Sequence, residues 1–325
     1  MSGKQPMFAA IVYILIGFVL LMGGAEYTVR GSVAIANKLK IPTIIVGLTV
    51  VAFGTSAPEF VVSISAALKG SEGIAIGNVV GSNIANLLLI LGAAAAIYPI
   101  SCNRKIFIRD YAFLFGVTLL FTLFALGGKF VRWQGIVLLV LLAAFVYYNY
   151  RNSKKNDVTP DAESPIAGKS WLVVLQVTVL GLAAIVYGAD LLVKGAVDIA
   201  RLLGISEEII GLTVIAFGTS LPELATTGMA AFRHQNGVAL GNILGSNIWN
   251  IVFIMGATSV IVDVEVPKQF LYYDMWVMLG ATLLFLPLMT SQSKLSRREG
   301  ILFVLIYGLY IFSQIHIARG NLIIG

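Results

Sequence analysis

Two short stretches hold the residues of this chain best suited to chemistry: Gly54-Thr55-Ser56-Ala57-Pro58-Glu59 and Gly218-Thr219-Ser220-Leu221-Pro222-Glu223. Each sets a carboxylate beside two hydroxyls inside a run of residues apolar enough to dissolve in lipid. A charged side chain near a bilayer centre costs about 2.5 kcal/mol or more unless it is paired or hydrated, so a matched pair of them points to an ion site. The prolines add backbone oxygens. Pro58 lacks an N–H and crowds the carbonyl of Gly54, so its helix must kink or break there and release carbonyls. Unwound backbone at membrane depth is tolerated only against protein or a water-filled cavity. Thr55 and Glu59 are one helical turn apart, as are Ala52 and Ser56, so carboxylate, hydroxyls and loosened carbonyls can converge. The second copy repeats this with Ala216, Thr219, Ser220, Pro222 and Glu223.

A second signature follows each motif: Gly77-Asn78-Val79-Val80-Gly81-Ser82-Asn83-Ile84-Ala85-Asn86 and Gly241-Asn242-Ile243-Leu244-Gly245-Ser246-Asn247-Ile248-Trp249-Asn250. Ser82 and Asn86 share a helical face, as do Ser246 and Asn250. Together the four segments offer hard oxygen donors only. Calcium takes six to eight oxygens at about 2.3–2.6 Å, and two glutamates balance its charge. Sodium accepts the same donors, so one acidic site can hold either ion in turn, the minimum for exchange. Two plainer roles compete. Ser56 with Glu59, and Ser220 with Glu223, fit a capping box. The Gly/Ser/Asn runs fit helix-packing faces.

Other polar residues read as structural. Glu26 and Arg30, and their counterparts Asp190 and Lys194, have the spacing of pairs within one helix, with gating as the alternative. His234 reads as a solvated residue at a helix end. Asp110 and Asp274 sit where spans begin, where acids favour helix N-termini. Cys102 is the one cysteine, and His234 and His316 are the only histidines, so an intramolecular disulfide and a thiolate or Cys/His metal site are not expected. The chain shows neither a nucleotide loop nor a Ser/His/Asp arrangement, and nothing speaks for an enzyme.

The elements that must position these residues are membrane helices. Of 325 residues 58% are hydrophobic and 12% charged, and the mean hydropathy is +0.91, too apolar for a water-soluble domain. Ten apolar spans are expected: 7–24, 41–68, 73–98, 106–127, 133–150, 170–190, 205–232, 237–262, 269–290 and 299–317. Each can cross about 30 Å of hydrocarbon as helix. The first and sixth are expected to run on through 25–39 and 189–203. Residues 24–92 align without a gap to 188–256, an offset of 164, and roughly half the positions from Gly47 to Gly92 are identical. This is an internal duplication. It also argues against a cleaved leader, because the first span has an internal counterpart. Five spans per copy make the repeats inverted, as in secondary transporters with a midplane site.

The expected fold is therefore an all-α integral membrane protein of ten transmembrane helices in two inverted-topology five-helix repeats, with broken helices 2, 3, 7 and 8 at the core. Residues 1–150 form the first repeat (ion-binding motif 47–92), 151–169 a linker and 170–325 the second (motif 211–256). Lys and Arg between the spans divide about 13 to 7, which puts both termini outside and the linker in the cytoplasm. The formal charge of +6 thus reflects topology, not nucleic-acid binding.

At these motifs the chain resembles the prokaryotic sodium/calcium exchangers of the cation/calcium antiporter superfamily. The resemblance covers the whole chain in span count and repeat design, and its specificity lies in 47–92 and 211–256. It implies four cation sites in a diamond, with Glu59 and Glu223 as central calcium ligands aided by carbonyls of Thr55 and Thr219. Carbonyls of Ala52 and Ala216, with hydroxyls of Ser56, Ser82, Ser220 and Ser246, are implied for sodium, and Asn86 and Asn250 line the middle. The first and sixth helices are implied to slide as a pair over the other eight. Relatives often carry aspartate where this chain has Asn250, which disfavours potassium cotransport. The implied function is sodium-inward, calcium-outward antiport by alternating access in the cell membrane, with proton/calcium antiport or a passive calcium channel as alternatives. The partners are the two ions and the lipid bilayer; no cofactor, nucleic acid or obligate protein partner is expected, and the long calcium-sensing domains of animal relatives are absent.

Overall fold

A computed structural model describes residues 4–101, 103–153, 164–203 and 216–318. It begins with α1 (Lys4–Leu39), a single 36-residue helix, and α7 (Trp171–Leu202) is its 32-residue counterpart. Both run on as expected. At about 1.5 Å per residue each exceeds the hydrocarbon thickness. They lie antiparallel: Ala10 meets Gly195, Gly17 meets Gly188, and Gly24 meets Gly181. A Cβ on Gly17 would stand 2.7 Å from the Gly188 carbonyl oxygen, so glycine is what lets the two backbones touch.

The helix carrying the first motif is broken, as Pro58 requires. α2 (Thr43–Thr55) and α3 (Ala57–Leu68) meet at 47° about Ser56. The next helix does not follow expectation. α4 (Glu72–Ile97) is continuous, as is its counterpart α10 (Asn236–Ile261), and neither breaks. Neither segment contains a proline, so every residue keeps its N–H. Each instead widens into a π-helical stretch, Ala85–Ile90 and Trp249–Met255, beginning beside the Ser/Asn face. Such π turns shift the register of a face without leaving a row of orphaned groups.

The remaining helices are α5 (Arg104–Ala125), α6 (Arg132–Ser153), α8 (Ala216–Gly218), α9 (Leu221–Phe232), α11 (270–292) and α12 (Arg297–Ala318). Seven described helices are long and apolar enough to cross a membrane, the bent α2–α3 pair makes an eighth, and Phe270–Leu286 is a shorter apolar helix. Of the expected seventh span, residues 205–215 lie outside the described residues, as do Cys102 and most of the linker. Four two-residue strands close the loops: β1 (Ile100–Ser101) pairs antiparallel with β4 (Lys294–Leu295), and β2 (Lys129–Phe130) with β3 (Val264–Glu265).

The spanning windows of α4 and α10 are 72% and 89% buried, against 22% for α1. Ile76, Val79, Leu87 and Leu91 of α4 join Ile243, Leu244, Ile251 and Val252 of α10 in the main core. The α1–α7 pair meets α9 through a separate small cluster of Leu21, Ala25, Ile185, Ala189, Leu221 and Ala225.

Asp110 and Asp274 differ from the helix-terminus expectation. Both are almost fully buried and held by side chains. Arg109 Nε donates to Asp110 at 2.7 Å, and Tyr310 (2.9 Å) and Gln314 donate to Asp274. These donors satisfy Oδ1 of each aspartate, while Oδ2 of each is buried without a hydrogen-bond partner among the described residues.

Candidate cation site

The break at Ser56 governs the first half of the site. Ser56 has φ −85° and ψ 8°, and its side chain makes no capping bond. The capping-box role is therefore not taken up. Its hydroxyl instead donates to Glu223 Oε1 at 3.0 Å, linking the two motifs across 167 residues of sequence. Ser246 donates to the same oxygen at 3.4 Å. Glu59 and Glu223 are each 1% exposed.

Their second oxygens carry the chemistry. Oε2 of Glu59 and Oε2 of Glu223 are buried without a hydrogen-bond partner among the described residues, and so are Oδ1 of Asn86 and Oδ1 of Asn250. Buried polar atoms in a folded protein are almost always satisfied, and leaving one unpaired costs about 1–3 kcal/mol. With Oδ1 of Asn83, five acceptor oxygens in the two duplicated signatures are left this way and call for a positive partner. Among the described residues no cluster of three or more His, Cys, Asp and Glu exists, so a metal ion here must lean on amide, hydroxyl and carbonyl oxygens beside the two carboxylates. That set suits hard cations.

The carbonyls divide. Among the described residues no backbone N–H is recorded as returning across the bend to Gly54 or Thr55, which leaves both carbonyls without a backbone donor. The Ala52 carbonyl is not released: it accepts from Ser56 N at 3.0 Å and Thr55 Oγ1 at 3.3 Å. A carbonyl has two lone pairs, both in use here. In the second copy Ser220 N bonds to Phe217 O at 3.2 Å, so the two motifs differ in detail. Ala216 opens α8, and Thr219 lies half-buried beside Ser220. Ser82 and Ser220 are buried, at 6% and 4% exposure, but donate to neither glutamate.

Amides beyond the expected Asn86 and Asn250 also join the two motifs. Asn242 accepts from Thr55 Oγ1 at 3.1 Å and donates to Thr227 at 2.9 Å. Its counterpart Asn78 donates to Ser63 at 2.8 Å and to the Glu59 carbonyl at 2.9 Å. Asn247 accepts from Asn86 at 3.0 Å, tying α4 to α10. The signal was present. All these residues recur at the same offset of 164, and Ser63 and Thr227 lie one turn beyond the glutamates. The glycines serve the packing role: Gly241 lies against Gly47, and a Cβ there would stand 2.3 Å from the Ile44 carbonyl oxygen. Packing and site therefore divide the signature by residue type.

By fold and site this is a multi-pass helical membrane protein with a pair of carboxylates buried in its core. Residues 9–151 and 173–316 match the family described as sodium/calcium exchanger protein, and the chain belongs to that family. It is 32% identical to the sodium/calcium exchanger MaX1 of Methanosarcina acetivorans, over 90% of this chain and 95% of that one. It is 36% identical to the uncharacterized membrane protein MJ0091 of Methanocaldococcus jannaschii, over 91% and 94%. Among solved structures it is similar to the sodium-calcium exchanger NCX_Mj soaked without sodium and calcium, with TM-score 0.84, 33% identity, and 95% and 99% of the two chains covered.

Proposed function

We propose that the chain is a sodium/calcium antiporter that admits sodium and extrudes calcium by alternating access at one midplane site. The observation that carries this reading is the pair of unpartnered oxygens on Glu59 and Glu223 within a cluster of amide and hydroxyl groups. Two carboxylates neutralise one calcium ion, or hold sodium ions in its place. Glu59, Glu223 and the Thr55 and Thr219 carbonyls take calcium. Ser56, Ser82, Ser220 and Ser246 hydroxyls with the Ala216 carbonyl take sodium, the Ala52 carbonyl joining once its own bonds yield. Asn86 and Asn250 line the centre.

Ten spans in two inverted repeats, 1–150 and 170–325 about the linker 151–169, account for the loop contacts. With ten spans, loops after odd-numbered spans share one face and loops after even-numbered spans the other. Asn236, after the seventh, donates to Ser101, after the third; Ile100 pairs with Leu295, after the ninth. On the other face Lys129, after the fourth, lies 3.5 Å from Asp263, after the eighth. The antiparallel α1 and α7 fit the same inversion. Positive charge places the odd loops in the cytoplasm and both termini outside.

The halves are also unequal, which is what a transporter caught facing one side requires. Ser56 bonds to Glu223, while no bond joins Ser220 to Glu59 among the described residues. The test is calcium-45 uptake into proteoliposomes under imposed sodium, proton or potassium gradients at clamped pH. Uptake driven by the sodium gradient alone supports the reading; uptake driven only by protons replaces it with proton/calcium exchange, and downhill flux without countertransport makes it a channel.

A further inference from the structure

Glu26 lies midway along α1 and uses both carboxylate oxygens. Arg30 Nε donates to Oε1 at 2.5 Å within the same helix, and Arg233 Nε donates to Oε2 at 2.7 Å from the loop after α9. The intrahelical bond holds the side chain so that its second oxygen faces outward, and Arg233 spans the gap. This ion pair joins the α1–α7 layer to the loop after α9. Elsewhere that layer meets α9 through the small apolar cluster, whose smooth side chains resist sliding little.

The duplicated half carries the same three charges. At the offset of 164, Glu26 corresponds to Asp190, Arg30 to Lys194 and Arg233 to Lys69. There the set is not assembled: Asp190, Lys194 and Lys69 are all exposed, and no ion pair joins them among the described residues. Repeat-related trios of like charge, one closed and one open, are the arrangement expected of a device that is made on one face at a time.

We propose that these trios form a reciprocal ionic latch. Glu26–Arg233 holds the α1–α7 pair in the state seen here, and displacement of that pair breaks it while bringing Asp190 to Lys69 on the opposite face. Neither trio touches the transported ions; each sets the relative population of the two states. The inference rests on the alternating-access reading above, and its test separates the two.

Nitroxide labels are placed in a Cys102→Ser background at Tyr27→Cys with Phe232→Cys, or at Leu68→Cys with Tyr187→Cys, all positions more than half exposed. Pulsed dipolar spectroscopy of the full chain in lipid reads both distances. Partly exposed ion pairs shift an equilibrium modestly, so Glu26→Gln and Arg233→Gln should each move the population about threefold toward a longer 27–232 and a shorter 68–187 distance. Asp190→Asn and Lys69→Gln should move it the other way, and Arg233→Lys should keep the original distribution. Distances that do not respond, or that change independently while sodium-driven calcium flux persists, overturn the latch alone. A single population under every ion condition, with no sodium-driven flux in the unsubstituted protein, overturns the alternating-access reading and the latch with it.

Discussion

At the scale of single residues, Ser56 decides between a structural and an ionic account of the motif. Its hydroxyl is spent on Glu223 rather than on its own helix, so it helps to stabilise a buried carboxylate. A hydrogen bond to a charged group contributes about 1.5–3 kcal/mol. Ser56→Ala should therefore lower the thermal unfolding temperature of the purified protein, while Ser220→Ala, which removes no bond to a glutamate, should leave it nearly unchanged. Equal shifts would contradict the asymmetry of the site. Glu59→Gln or Glu223→Gln should leave a folded, expressed protein whose calcium transport is largely lost, checked by calcium-45 uptake beside a thermal melt. The glutamates themselves were legible because a carboxylate in an apolar span needs a reason. Their partners were not. Ser56 reaches Glu223 across 167 residues, and no local pattern says which of many hydroxyls closes that distance. Asn242 and Thr227 escaped for a related reason: as neutral groups, one in a Gly/Ser/Asn run and one a turn beyond Glu223, they look the same whether they line a site or a helix contact.

At the scale of elements, proline separates what sequence can and cannot say. Pro58 forbids a regular helix, and the chain bends by 47° beside it. From the sequence, spans three and eight are expected to be broken, yet glycine only permits a break, and α4 and α10 both continue through π turns. Glycine here answers to a neighbour instead. Gly241 meets Gly47 backbone to backbone, so Gly241→Val should force α2 and α10 apart at a cost of about 1–3 kcal/mol, seen as a lower unfolding temperature and weaker calcium binding. An unchanged melt would show that this contact is loose. Glu26 illustrates the same limit: the pair with Arg30 was readable at helical spacing, whereas the bond to Arg233 depends on how a whole helix lies against the core.

At the scale of the whole molecule, the duplication is the most legible property, because an offset of 164 survives any uncertainty in span boundaries. How the halves enclose a site is a matter of packing. The interior places of α4 and α10 and the outer layer of α1 and α7 follow from which faces fit, not from hydropathy, which is high in all four. Asn250, buried with an unpartnered oxygen, leaves the centre with two carboxylates and no third. Replacing potassium by choline on both sides of the membrane should therefore leave sodium-driven calcium uptake unaltered, and a requirement for potassium would reassign the ion set. The proposed exchange requires sodium and calcium to occupy the same oxygens around Glu59 and Glu223. Equilibrium binding of calcium-45 to the purified protein at rising sodium tests it most directly. Sodium should weaken calcium affinity cooperatively while leaving the number of calcium sites unchanged, with binding lost in Glu223→Gln. Calcium binding indifferent to sodium, or retained in that variant, would contradict a shared site.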